Sequence, residues 1–361
     1  MKRTKTVFVY GFAVFAAFFG AGNLILPPYL GFKSGPDWWL SAMGFFLTAT
    51  IIPLGALMAY SRLQGTMLDF GNKVSSRFSI VLCILIYLIA LLLPCPRTAA
   101  VTHEMAVAPF WDSSPLLTST IYFTLAAIIS LNRGRVMDLL GKYLTPIIGL
   151  ILLAIIAIKL FFDPGAASEG HFEQPLISGF LEGYQTYDAL AGLLMGGVLV
   201  ITIQNSRKGA DFAEKKRLIV GSSLVAMSGL FLIYAGMIYA GSRMGGSAED
   251  AIERTSLLRL LADNTLGETG SLFLSMLVGL ACFTTAVGIL VGSGVFFKGL
   301  LKGSERAYRI TVITGAIMGI LVGQLNVSYI IKVAIPVLMF IYPIVITLII
   351  LNVVPGKWAS S

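Results

Sequence analysis

The groups best suited to chemistry in this sequence are backbone groups. From Phe18 to Gly31 the chain reads FFGAGNLILPPYLG, with Gly20, Gly22, Asn23, Pro27 and Pro28 inside an otherwise apolar run. In hydrocarbon every peptide group needs a partner within the protein, so such a stretch either kinks a helix or breaks it beside a polar cavity. If the first half helix ends at Phe19, the carbonyls of residues 16 to 19 lose their helical donors, and the amides from about Gly22 onward lose their acceptors. Pro27 and Pro28 cannot donate to the carbonyls of Asn23 and Leu24, four residues back. Oxygens suited to a cation then face amides suited to an anion, with the half-helix dipoles reinforcing both.

Side chains add three candidates. Asp188 lies in GYQTYDALAGLLMGG; a carboxylate there either faces a cavity or partner within the membrane or sits about a turn inside the outer boundary. In LACFTTAVG, Ala281, Thr284 and Thr285 share one helical side. Their hydroxyls either bond carbonyls three or four residues back or supply oxygen ligands for a hard monovalent cation. In PCPRTAAVTHEM, Arg97 and Glu104 share a face two turns apart. Either Arg97 snorkels to the outer surface, or a long, tilted helix running on to Phe110 buries both residues, to pair with each other or with Asp188. With only His103 and His171, and no clustered cysteine or carboxylate ligands, no metal centre or nucleophile and base pair is visible, and an enzyme is not expected. Cys83, Cys95 and Cys282 lie in or beside apolar runs and suggest packing rather than a disulfide framework.

The elements that must position these groups are membrane helices. Hydrophobic residues make up 57% of the chain and charged residues 12%, far from ordinary globular usage. Apolar runs of roughly 20 residues, the length that crosses a bilayer, fall at 7–31, 38–60, 78–96 or further, 116–131, 144–162, 184–204, 218–241, 271–297, 308–324 and 328–354. The chain is thus read as an all-α integral membrane protein with ten spans. The net charge of +8 comes from short basic clusters between those runs, such as Lys2 to Lys5, Arg133 to Lys142, Arg207 to Arg217 and Lys298 to Arg309. They alternate as cytoplasmic loops do when the N-terminus is inside, so no nucleic-acid partner is expected. The loop at 242–270 contains AEDAIERTSLLRLLAD, apolar residues at helical spacing among charges, and is read as an external amphipathic helix. Ten spans divide into two sets of five, and an odd number per half makes the halves inverted, with repeat one at about 7–162 and repeat two at about 184–354. Helix six then corresponds to helix one and should also be interrupted.

FFGAGNLILPPYLG, PRTAAVTHEM and GYQTYDALAGLLMGG together resemble the branched-chain amino acid carrier family, the LIVCS family of the amino acid, polyamine and organocation superfamily. The resemblance covers nearly the whole chain. It implies a LeuT-like five-plus-five fold and uptake of leucine, isoleucine and valine across a bacterial cytoplasmic membrane, coupled to sodium or to protons. A channel or amino acid sensor on the same scaffold is the competing class. By resemblance to LeuT-like members, sodium would be held by the carbonyls of Ala16 and Phe19, the carbonyl of Ala281 and the hydroxyls of Thr284 and Thr285. The family usually has about twelve spans, and the pair beyond ten lies outside the repeated core. The substrate carboxylate is then expected on the amides of Gly20, Ala21 and Gly22, with Asn23, Tyr184 and Asp188 as further contacts and the ammonium on freed carbonyls of helices one and six.

Overall fold

The computed structural model describes residues 3–132, 136–246 and 252–354. Lys2, Arg133, Arg135 and Lys357 of the basic clusters, and residues 247–251 of the long loop, lie outside them. The interrupted first run forms two helices, α1 (Arg3–Phe18) and α2 (Ala21–Ser34). Helix two follows as α3 (Trp38–Phe46) and α4 (Ile52–Leu63), joined by a π-helical turn. After a short α5 (Met67–Gly71), helix three consists of α6 (Ser76–Leu92) and α7 (Pro94–Thr102). Helices four and five are α8 (Pro115–Asn132) and α9 (Val136–Ala157). Helix six is again two pieces, α10 (Pro175–Tyr184) and α11 (Asp188–Ser206). The last four are α12 (Phe212–Ser242), α13 (Arg254–Leu300), α14 (Glu305–Gly323) and α15 (Val327–Val353).

Among the described residues, nine helical stretches rather than ten are long and apolar enough to cross a membrane, which makes this a multi-pass membrane protein. The difference arises at the first break. Lys5–Phe18 is cut short there, and α2 passes through a tight turn at Gly35–Asp37 directly into α3, so that Gly22–Leu63 reads as one stretch. Helix six also departs from its expected start at 184. Its first half begins at Pro175, where glycines and Glu182 dilute the hydropathy.

The two halves pack reciprocally. Helix one, as α1 and α2, lies along α12 of helix seven, whereas helix six, as α10 and α11, lies along α3 and α4 of helix two. Close backbone contact makes the first of these crossings possible. A Cβ on Gly31 would stand 1.8 Å from the Ile238 carbonyl oxygen, so glycine is required there. Lipid tails are as apolar as leucine, and such close packing supplies attraction that hydrophobic sorting cannot.

Helix three follows the long, tilted reading. Pro94 and Pro96 cannot donate to the carbonyls of Ala90 and Leu92, and the helix bends at Leu93 before continuing through Val107. The bend carries Arg97 into the bundle. The expected amphipathic helix is present from Arg254 onward as the first part of α13. It turns into the spanning part at Gly267, whose φ of 72° is left-handed. Leu257, Leu258, Leu261 and Ala262 are buried beneath this arm.

Candidate functional site

The break in helix one occupies Phe19 and Gly20. The Gly20 amide turns back to the Phe18 carbonyl (2.9 Å), and the Asn23 amide bonds the Gly20 carbonyl (3.1 Å). Gly20 and Asn23 are the residues that would cap the carbonyls of Ala16 and Phe19 in an unbroken helix, so both carbonyls lose their i+4 donors. The amides of Ala21 and Gly22 open α2 without helical acceptors. Gly20 departs from the sequence reading: its own amide is spent inside the break, because a one-residue reversal needs that bond.

Helix six breaks at Gln185, Thr186 and Tyr187, between α10 and α11. Tyr187 adopts φ 62° and ψ 13°, a left-handed conformation that a bulky residue rarely takes. Such strain persists only where the surroundings enforce it and tends to cluster at functional sites. Here the residue is buried, with its ring 5.0 Å from the Arg97 guanidinium carbon.

A polar cluster joins the two breaks. Asn23 Nδ2 donates to both Asp188 carboxylate oxygens at 3.1 Å, and the Tyr234 hydroxyl donates to Asp188 Oδ2 at 2.8 Å. Asn23 also contacts the Tyr234 hydroxyl. Asp188 is 1% exposed, so it lies deep in the bundle and not at a boundary. The first turn of α2, the first turn of α11 and the middle of α12 are thereby tied together. Tyr234 carried no signal in the sequence, since one tyrosine in an apolar helix reads as core. Tyr184 closes α10 with its ring against that of Tyr342 (3.9 Å between centroids), and its carbonyl accepts from the Tyr342 hydroxyl at 3.0 Å.

Arg97 and Glu104 are both drawn inward but pair neither with each other nor with Asp188. Arg97 Nη1 donates to the Gln185 carbonyl at 2.8 Å. Glu104 instead accepts from the Thr255 hydroxyl (2.6 Å) and the Val327 amide (2.8 Å), fastening the arm of α13 and the start of α15. Beside them, Arg254 forms an ion pair with Glu182 at 2.5 Å and lies 4.1 Å over the Tyr29 ring, linking the arm to α10 and α2.

On helix eight, the hydroxyls of Thr284 and Thr285 both donate to the Ala281 carbonyl at 2.9 Å. This is the self-bonded arrangement, but it consumes hydrogens and leaves the lone pairs of both hydroxyl oxygens available as ligands. The Thr285 hydroxyl also faces the break, since a Cβ placed on Gly20 would lie 3.7 Å from it. The uncapped carbonyls of Ala16 and Phe19 and the hydroxyl oxygens of Thr284 and Thr285 are thus neutral oxygens on two adjoining helices, while the Ala281 carbonyl already accepts both hydroxyls. Among the described residues no group of three or more histidine, cysteine, aspartate or glutamate side chains could hold a metal ion.

The overall arrangement matches that of a crystal structure of MhsT in complex with L-phenylalanine, with a TM-score of 0.65 at 15% identity, covering 97% of this chain and 92% of that one. The fold is thus the LeuT-like five-plus-five inverted repeat, with helices one and six broken. In sequence, the branched-chain amino acid transport system 2 carrier protein of Pseudomonas aeruginosa is 36% identical over 97% of this chain and 81% of its own length. The branched-chain amino acid permease BraB of Bacillus subtilis is 31% identical over 96% and 80%. These relatives are named as a carrier and a permease, not as enzymes. The model of the family described as branched-chain amino acid transport protein matches residues 3–361, and the chain belongs to that family.

Proposed function

We propose that this protein imports leucine, isoleucine and valine across a bacterial cytoplasmic membrane by alternating access, coupled to sodium, with its N-terminus in the cytoplasm. The observation that carries this reading is the pairing of the two breaks across the Asn23, Asp188 and Tyr234 cluster. It brings the start of α11 beside the first turn of α2, and so supports a substrate site at the open amides of Ala21 and Gly22 and the freed carbonyls beside them. A zwitterion needs both kinds of group, and half-helix ends provide them without a net charge on the protein. Asp188 has its oxygens engaged by Asn23 and Tyr234 and acts on the substrate by positioning the two half helices. Tyr184, beside the break, contributes to the wall facing the aliphatic side chain. An apolar pocket separates substrates that differ by one methylene by only about 1 to 3 kcal/mol, which suits a carrier of all three amino acids.

Sodium is the transported partner ion in this reading. Bound to the oxygens of helices one and eight, it favours one packing of those helices, and its release permits the opposite-facing state. Uptake of labelled leucine into proteoliposomes, with and without an inward sodium gradient, tests the proposal. Concentrative uptake that requires sodium supports it. Flux that only equilibrates leucine indicates a channel, and concentrative uptake driven equally well by a proton gradient without sodium replaces the coupling ion.

A further inference from the structure

Arg97 is 3% exposed, yet the described residues bring no carboxylate within ion-pair distance of it. Its Nη1 is held by the Gln185 carbonyl, which orients the guanidinium plane, and its Nε has no hydrogen-bond partner. The Nε and Nη2 edge is the side of a guanidinium that receives a carboxylate through two parallel bonds. Nη2 points at the first turn of α2, where a Cβ on Gly22 would stand 2.3 Å from it. On the helix-six break that Arg97 touches, two further buried polar atoms, Gln185 Oε1 and Tyr187 Oη, also lack partners. A buried charge left without compensation is expensive, which is why removing one partner of a buried pair is strongly destabilising. The bend at Leu93, the strained Tyr187 and the glycine at 22 all hold this charge between the breaks.

We propose that Arg97 is a specificity-determining residue whose Nε and Nη2 edge pairs with the substrate's α-carboxylate, which it shares with the amides of Ala21 and Gly22. This rests on the amino acid substrate proposed above. The charge that the site lacks is therefore supplied by the ligand, and an amine bearing the same side chain but no carboxylate leaves the guanidinium bare. Such an amine is rejected for that reason, whereas the aliphatic pocket alone would accept it.

The test compares leucine with leucinol, which keeps the ammonium and side chain but lacks the carboxylate. Each is measured as an inhibitor of labelled leucine binding and uptake by the purified full chain, in the wild type, Arg97→Gln and Arg97→Lys. The wild type is expected to prefer leucine over leucinol by at least about 100-fold, in line with the loss of charge-assisted hydrogen bonds. In Arg97→Gln the leucine affinity falls by at least about tenfold while leucinol is unchanged, so the preference shrinks to what the Ala21 and Gly22 amides supply. Arg97→Lys keeps the charge without the two-pronged edge and should fall between; it also carries the test if Arg97→Gln does not fold. Leucine uptake and preference unchanged in Arg97→Gln, or in a folded Arg97→Lys when the glutamine variant is lost, would overturn the role of Arg97 alone. Failure of the wild type to bind leucine would instead remove the substrate reading and this inference with it.

Discussion

Replacing Tyr234 by phenylalanine removes one hydroxyl and little volume, and the structure gives its cost a definite origin. The hydroxyl donates to Asp188 at 2.8 Å, and both residues are almost wholly buried. A hydrogen bond to a charged group contributes about 1.5 to 3 kcal/mol in soluble proteins. Between membrane helices the measured mean is about 0.6 and the maximum about 1.7, because the separated helices find other partners. A carboxylate buried between two helix breaks belongs near the upper end of that membrane range. We therefore expect Tyr234→Phe to destabilise the protein by about 1.5 kcal/mol, a little more than tenfold in the unfolding equilibrium. If the charge is the cause, the same substitution in an Asp188→Asn background should cost under about 0.5 kcal/mol, giving a coupling near 1 kcal/mol. Reversible unfolding of the purified protein by titration of a denaturing detergent, carried out on the four members of this cycle, measures it. Equal costs in the two backgrounds would refute the view that the hydroxyl acts through Asp188.

Two further outcomes follow from the same geometry. Thr284→Ala is expected to shift the sodium activation curve of leucine uptake to higher concentration, with a much smaller change in leucine affinity at saturating sodium; an unshifted curve would place sodium elsewhere. Arg254→Gln strands Glu182 in a largely buried setting and should cost about 3 kcal/mol, the lower end for a buried pair because both side chains keep 13% exposure, read as a lower midpoint in thermal unfolding, and Glu182→Gln in the same chain should restore part of the loss. No restoration would show that the stacking of Arg254 on Tyr29, and not the ion pair, holds the arm.

The break in helix one was legible because Gly20, Gly22 and two prolines marked a stretch unable to complete its helical hydrogen bonds, although the break itself falls at Phe19 and Gly20 while Pro27 and Pro28 lie inside α2. Its counterpart was legible only through the symmetry of two sets of five spans. The first half of helix six escaped notice because Gly179, Gly183 and Glu182 lower its hydropathy; its packing against α3 and the π-helical turn that follows compensates in the fold. Asp188 was visible as an anomaly, but its partner Tyr234 was not. A tyrosine among leucines and isoleucines carries no local mark of the carboxylate it meets 46 residues away. The pairings weighed for Arg97 and Glu104 failed for a related reason. Helical spacing describes which residues share a face, while the choice of Gln185 for one and of Thr255 and Val327 for the other depends on how α7 is tilted against α10, α13 and α15.

By itself, then, the sequence determined the properties that are local or additive. These are a membrane chain from composition, the order of its main apolar helices from run length, and a broken first helix from residues that cannot complete its hydrogen bonds. Tertiary structure decided which freed groups meet. A polar group inside the membrane takes its partner from another helix, and that partner is set by crossing angles and close contacts such as Gly31 on Ile238. Hence Asn23, Asp188 and Tyr234 became a cluster, and Arg97 came to rest between the breaks with its Nε lacking a hydrogen-bond partner.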